Sequence, residues 1–412
     1  MEFKTISVIG LGYVGLPTAA IIASRGVDVI GVDVNENTVD IINKGEIHIQ
    51  EPDLDIVVRS VVNTGKLKAT STPECADAFI ITVPTPFKND HEPDISFIEA
   101  AAMAIAPVLN KGNLVIIEST SPVGTTEIFA EWIAEVRPDL TFPQSAQENA
   151  DINIAYCPER VMPGHVLQEL VLNDRIVGGL TSECAKRAVA LYEIYVKGDI
   201  YTTNVRTAEM AKLTENSFRD VNIAFANELS LICDTLDINV WEMINLANRH
   251  PRVDILKPGP GVGGHCIAVD PWFIVNSDSE NAKLIKTARE VNDNKPSYII
   301  DKVKKIADAF ETPIIACLGL AFKADIDDLR ESPAVNIVEG LAKNKVGKLL
   351  VVEPNVDALP SSLEGKAKYT ELNEAIDKAD IILLLVGHRE FKKIEQGRFN
   401  GCVVIDTCGI WV

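Results

Sequence analysis

No pair among the eight cysteines (positions 75, 157, 184, 233, 266, 317, 402 and 408) has Cys-x-x-Cys spacing. Scattered thiols of this kind give no zinc-site pattern. They are expected to be reduced and metal-free, as in a protein kept in a reducing compartment. No export signal is expected, because MEFKTISVIG enters a strand pattern with no basic segment ahead of a long apolar one. The strongest apolar stretches, such as Ile381 to Val386, fall far short of the ~20 residues that span a bilayer. Positive charge is in deficit too, with 39 Lys and Arg against 59 Asp and Glu, a formal net charge of -20. That balance excludes a general nucleic-acid surface but leaves room for a local cationic cleft holding a small anion. A cytoplasmic protein is expected, with no metal, no nucleic acid and no membrane partner.

What is present is a 412-residue chain, 47% hydrophobic and 24% charged, long enough for two or three domains. Strand-like runs at 4–9, 27–32, 77–83, 113–117 and 152–156 alternate with helical segments near 15–25, 95–108 and 124–136. Such alternation predicts a parallel sheet covered on both faces. From Arg206 to about Leu236 the pattern becomes one long helix without Gly or Pro. Alternation resumes from Thr312, with strands at 313–318, 348–353, 381–386 and 402–406 and a helix at 333–343. ADAFIITV (76–83) is echoed by ADIILLLV (379–386), and VIGVDVN (29–35) by LLVVEPN (349–355). The fold expected is α/β: two Rossmann-like doubly wound lobes (1–200 and 301–412) joined by a helical middle segment (201–300) carrying the long helix.

Gly10-Leu11-Gly12-Tyr13-Val14-Gly15 fits G-x-G-x-x-G between a strand and a helix. Gly10 permits the tight turn, Gly12 lets backbone approach a pyrophosphate, and Gly15 allows close helix packing. Asp33 ends the second strand at the distance expected for a ribose diol. It repels a 2'-phosphate, so NAD is favoured over NADP. A purely structural glycine turn is the alternative. The segments Pro84-Thr85-Pro86 and Thr120 to Thr126 fall at later strand ends, where the ligand crevice of an open sheet lies.

Cys266 follows four glycines in PGPGVGGHCIAVDP, with Asp270 four residues on. That glycine density suggests backbone that must approach another group closely, and it places the thiol like a nucleophile. Cys75, Cys184, Cys233, Cys317 and Cys402 are read as small packing residues, and His265 as structural. Lys212, Asn216 and Arg219 share one helix face. They form either a solvated stripe or an oxyanion and thiolate site.

Together these residues resemble the UDP-glucose/GDP-mannose 6-dehydrogenase family. The resemblance rests on the glycine turn, Thr120-Ser121-Pro122-Val123-Gly124, Pro158-Glu159-Arg160, Lys212-Leu213-Thr214-Glu215-Asn216, Gly263-Gly264-His265-Cys266, Phe322-Lys323 and Arg330-Glu331-Ser332-Pro333. It spans essentially the whole chain. Such a resemblance implies an NAD-dependent four-electron oxidation of a sugar C6 hydroxymethyl to a carboxylate. Cys266 would be the nucleophile. Lys212 and Asn216 would stabilise the oxyanion, Asp270 would assist proton movement, Glu159 would be the acid/base of hydrolysis, and Thr120 would hold the water. Gly10, Gly12, Tyr13, Val14, Gly15, Asp33, Thr85, Thr126 and Arg330 match cofactor contacts. Arg160, Val161, Lys212, Asn216, Arg219, His250, Arg252, Gly263, Phe322 and Lys323 match substrate contacts, with His250 and Arg252 supplied by a neighbouring subunit of at least a homodimer. The strings NSFRDVNIAFANELS, NRHPRV and PGPGVGGHCIAVDPWF point to a UDP-N-acetylhexosamine, UDP-N-acetyl-D-mannosamine first, with UDP-N-acetylglucosamine or UDP-glucose as alternatives. The product would feed surface polysaccharide synthesis. Cys408 stands where the resemblance calls for a basic residue, which puts that substrate contact in doubt. A one-step hydroxy-acid dehydrogenase and a non-catalytic NAD sensor are the competing readings. Neither has a use for the Cys266 loop together with Lys212 and Glu159.

Overall fold

Continuous apolar runs make the centre of each sheet, because a strand covered on both faces has no polar side to present. In the computed structural model, which describes residues 3–88, 91–162, 164–264 and 266–411, these runs become the inner strands. His265 lies outside the described residues. The chain divides into two compact units, residues 1–214 and 215–412.

Among the described residues, the large sheet of the first unit holds eight strands: β1 (Thr5–Ile9), β2 (Asp28–Val32), β3 (Leu67–Thr70), β4 (Ala78–Ile81), β5 (Leu114–Ile117), β6 (Asn153–Tyr156), β7 (Arg175–Gly179) and β8 (Ile200–Asn204). Their order is β8-β7-β6-β5-β4-β1-β2-β3. All neighbours run parallel except β6 and β7. One face is packed by helices that include Gly15–Ser24 and Leu54–Asn63, the other by Ser96–Ile105 and Thr125–Val136. The second unit holds β9 (Ile314–Leu318), β10 (Lys348–Val352), β11 (Lys368–Tyr369), β12 (Ile381–Leu384) and β13 (Val403–Asp406). These form an all-parallel sheet in the order β11-β10-β9-β12-β13. The expected long helix runs from Val205 to Thr235.

The two sequence echoes mark equivalent parts of the two sheets. β1 lies between β4 and β2, and β9 lies between β12 and β10. Gly10 (φ 93°) donates its N–H to Val32 O at 2.8 Å, and Gly319 (φ 96°) donates to Val352 O at 2.8 Å. Asp33 accepts the N–H groups of Leu11 and Asn35, both at 2.9 Å. Glu353 accepts those of Leu320 (2.7 Å), Ala321 (2.9 Å) and Asn355 (3.0 Å).

The difference lies in what else the acid meets. Asp33 is only half-buried, whereas Glu353 is buried and bonded to the buried His388 at 3.0 Å. Asp325 N–H donates to His388 Nδ1, so Nε2 carries the proton toward Glu353. Burial pushes the Glu353 carboxyl up, but these hydrogen bonds prevail and bring it to about 2. The acid of the second lobe is thus sealed, and the one in the first lobe faces outward.

Candidate active site

The glycine turn fits a dinucleotide by its clearances. A Cβ at Gly15 would stand 1.8 Å from Gly10 O, and one at Gly10 would stand 2.9 Å from Thr82 O, so both glycines are required for packing. A Cβ at Gly12 would meet nothing within 4 Å, so the turn is open on that side. Tyr13 is exposed and Val14 half-buried beside it, at the start of the helix Gly15–Ser24. The N-terminal amides of a helix there, with Asp33 fixed by two N–H bonds, suit a pyrophosphate and a ribose diol. These residues fit NAD.

The later strand ends are tied to one another. Thr85 Oγ1 donates to Thr120 O at 2.5 Å. Beyond Thr120 the chain turns at Gly124 (φ 97°), and here an unforeseen residue appears. Glu209 on the long helix is fully buried and accepts from Gly124 N (2.6 Å), Thr126 N (2.9 Å) and Thr126 Oγ1 (2.6 Å). It occupies the anion-binding N-terminus of the helix Thr125–Val136. Burial nevertheless raises its carboxyl pKa. Thr126 is itself fully buried, so in this structure its hydroxyl serves the turn.

Glu159 follows β6, and its Oε1 is buried with no hydrogen-bond partner among the described residues. Burial lifts its pKa to about 7, against the opposing fields of Arg175 and then Lys212. A carboxyl poised there can both give and take a proton near neutrality. Lys212, one turn beyond Glu209, is buried, so the solvated-stripe reading fails for it. Arg160 Nη1 donates to Asp174 O at 3.3 Å, and Val161 is half-buried against the sheet core. Their loop is held by Glu51, a buried acid that accepts from Gly164 N (2.8 Å) and Val166 N (2.7 Å).

In the second unit Cys266 is exposed. Its carbonyl accepts from Asp270 N–H at 2.9 Å, where the helix Asp270–Ser277 begins. Asp270 is buried, and its Oδ2 accepts from Asn216 Nδ2 at 2.5 Å, which brings two of the sequence candidates together. The glycines before Cys266 answer to the segment around 322–333. A Cβ at Gly263 would lie 2.4 Å from Glu331 O, and one at Gly264 (φ 84°) 2.9 Å from the Phe322 ring. One at Gly261 (φ 147°) would lie 3.0 Å from Pro333 Cβ. The other end of the loop is pinned by Gly259 N donating to Asn227 Oδ1 at 2.9 Å. Asn227 donates in turn to Asn292, and Asn292 to Asp220, which pairs with the buried Arg289 at 2.6 Å.

Phe322 and Lys323 line a cleft of about 150 Å³ together with Gly261, Pro333, Val386 and Cys408. Cys408 donates its thiol to Leu385 O at 3.3 Å, and burial pushes it up to about 12. The cleft therefore receives no cation at that position. Arg330 pairs with Asp328 through both Nε and Nη2, at 2.6–3.0 Å. Arg219, His250 and Arg252 are exposed, and Arg252 N donates to His250 Nδ1 at 3.3 Å. Of the five cysteines read as packing residues, Cys184, Cys233 and Cys317 are buried and Cys402 is half-buried. Cys75 departs from that expectation: it sits exposed in the loop before β4.

Comparison with known proteins agrees with this geometry. Residues 4–196 match the NAD binding domain of the UDP-glucose/GDP-mannose dehydrogenase family, 206–294 its central domain and 316–412 its UDP binding domain. A UDP-N-acetyl-D-mannosamine dehydrogenase of Campylobacter jejuni is 64% identical over 400 residues, covering 96% of this chain and 98% of its own. An NDP-N-acetyl-D-galactosaminuronic acid dehydrogenase of Ralstonia nicotianae is 60% identical over 411 residues, covering 100% and 97%. Among solved structures, a UDP-N-acetyl-D-mannosamine dehydrogenase of Pyrococcus horikoshii superimposes with a TM-score of 0.89 at 40% identity, covering 99% of this chain and 96% of its own.

Proposed function

Because the chain belongs to the UDP-glucose/GDP-mannose dehydrogenase family, we propose that it oxidises C6 of UDP-N-acetyl-D-mannosamine to the carboxylate, through a covalent intermediate on Cys266. It is an NAD-dependent dehydrogenase, and the open Gly12 turn with the fixed Asp33 suits that cofactor. The observation that carries the covalent reading is the Cys266 loop. Its glycines are imposed by contacts with Phe322, Glu331 and Pro333, and it delivers an exposed thiol beside a buried Asp270.

NAD, held at the glycine turn, supplies the acceptor for each of the two oxidations. The protein's own groups do the remainder. Cys266 adds to the C6 aldehyde, forming the C–S bond of a thiohemiacetal, and Lys212 and Asn216 stabilise the oxyanion. Asp270 orients the Asn216 amide through their 2.5 Å hydrogen bond. After the second oxidation a thioester remains. Water held at Thr120 attacks its carbon while Glu159 takes the proton, and the C–S bond breaks to release thiol and carboxylate. Covalent capture keeps the reactive aldehyde from escaping.

In this reading residues 1–200 bind NAD, 201–300 supply Lys212 and Cys266, and 301–412 bind the UDP moiety. Thr85, Arg330 and the exposed Tyr13 serve the cofactor, as Arg160, Val161, Arg219, Gly263, Phe322 and Lys323 serve the sugar nucleotide. The long helix exposes Phe218 (68%), Phe225 (53%) and Ile232 (46%) at intervals of seven residues, which favours a homodimer across that face. His250 and Arg252 then reach a partner's site. Reduced thiols, and the absence among the described residues of a helix long and apolar enough to cross a membrane, support work in the cytoplasm toward a surface polysaccharide.

A galacto-configured sugar is the second reading, favoured by the Ralstonia nicotianae relative. The test is kcat/KM for UDP-N-acetyl-D-mannosamine against the galacto and gluco N-acetyl sugars and UDP-glucose. The manno sugar should lead by at least about tenfold, the size of one well-made polar contact. A leading galacto sugar would transfer the assignment to the second reading.

A further inference from the structure

Behind Glu159 the first unit buries a polar cluster that no motif announces. Glu118 follows β5, Cys157 and Glu159 follow β6, and Arg175 opens β7. Tyr192 ends the helix Ser182–Tyr192 and Tyr195 follows it. Glu118 and Arg175 are each 2% exposed, and both tyrosines are buried. Tyr192 donates to Glu118 Oε1 at 2.7 Å, the Arg175 guanidinium sits 5.3 Å from the Tyr192 ring centre, and Arg175 Nη2 donates to Leu170 O at 3.3 Å. Five atoms of the cluster are buried without a hydrogen-bond partner among the described residues: Glu118 Oε2, Glu159 Oε1, Tyr195 Oη, and Nε and Nη1 of Arg175.

Each such orphan costs about 1–3 kcal/mol if left dry, and native proteins leave only a few per hundred residues. Five together, of both donor and acceptor type, describe a site built for enclosed water, which makes about three hydrogen bonds per molecule. Charge points the same way. Two carboxyls, Glu118 and Glu159, stand against two cations, Arg175 and Lys212, and burial raises the pKa of both acids, which favours their holding a proton. Burial pushes the Cys157 thiol up to about 12 and raises both phenols well above their usual range, so these groups stay neutral.

We propose that this cluster is a proton-transfer chamber for thioester hydrolysis, in which Arg175 and Glu118 are positioning residues of opposite sign for Glu159 and Tyr192 and Tyr195 order the water behind it. The inference rests on the reading of Glu159 as the hydrolytic base. When water adds to the thioester carbon, its proton passes to the Glu159 carboxylate. The C–S bond breaks with its electron pair on sulfur, and nothing is oxidised or reduced. The charged groups facing Glu159 are Arg175 from β7, Lys212 from the long helix and Glu118 from the end of β5. Glu159 must be ionised to take the proton, so hydrolysis fails as pH falls through its pKa. Removing the Arg175 charge raises that pKa, and neutralising Glu118 lowers it.

The test follows breakdown of the Cys266 adduct in the full-length enzyme, by quenched-flow and intact mass, from pH 5 to pH 9. Arg175→Met should move the acid limb up by about one pH unit or more, Glu118→Gln should move it down, and Arg175→Lys should restore it, since one adjacent charge is worth about 1–3 units. The expected reading at pH 6 is about a tenfold accumulation of adduct in Arg175→Met. Should Arg175→Met fail to fold, Glu118→Gln decides alone, because its amide oxygen keeps the Tyr192 bond. A normal wild-type limb that the folded variants leave in place overturns the chamber and spares Glu159. Absence of any adduct in the wild type overturns the parent reading and the chamber with it.

Discussion

A carboxylate that accepts two backbone N–H groups is costly to move, and Asp33 holds that position between Leu11 and Asn35. In the proposed reading it stands where a 2'-phosphate would have to enter. Asp33→Ala should weaken NAD and narrow the NAD-over-NADP preference by roughly tenfold or more, the worth of one charge-assisted hydrogen bond. Comparison of kcat/KM for the two cofactors checks this, and an unchanged ratio would remove Asp33 from cofactor choice. Asp33 and Cys266 were legible in the sequence because each belongs to a spaced motif. Glu209, Glu51, Arg175 and Glu118 were not. They are single charged residues whose partners lie 5 to 115 positions away, and only the fold brings them together. Lys212 was ambiguous for the same reason, since spacing gives a helix face but not what covers it.

At the scale of elements, the loop before Cys266 works as a fitted joint. Gly263 lies against backbone, so Gly263→Ala must push Glu331 aside, an overpacking that costs about 1–3 kcal/mol. A lower melting temperature and a fall in kcat are expected together, and an unaffected alanine variant would mean the joint has slack. The long helix offers a second case. Phe218→Glu with Phe225→Glu places charge in the middle of an exposed apolar stripe. Light scattering should then report monomers with the secondary structure retained, whereas an intact dimer would locate the interface elsewhere. Inner strands were readable as apolar runs. β7 and β8 were not, because Arg175, Gly178 and Gly179 interrupt one and the other is a polar edge.

Taken whole, the molecule repeats one plan with two outcomes. Both sheets end their second strand in an acid that ties down the first glycine turn. The first lobe follows its glycine with Gly12, open to solvent, while the second follows Gly319 with a buried Ala321 and seals its acid with His388. One lobe is left able to accept a dinucleotide's backbone contacts, and the other offers the cleft beside Phe322 and Lys323 instead. The echo itself was visible in the residues. The sealing was not, since His388 reaches Glu353 only in the folded chain.

The most direct measurement is NADH formed per UDP-N-acetyl-D-mannosamine, with sugar limiting and NAD in excess, for the wild type and Cys266→Ser. Two NADH from the wild type and no more than one from Cys266→Ser are expected of oxidation through a thioester. A single NADH from the wild type, or two from Cys266→Ser, would contradict it.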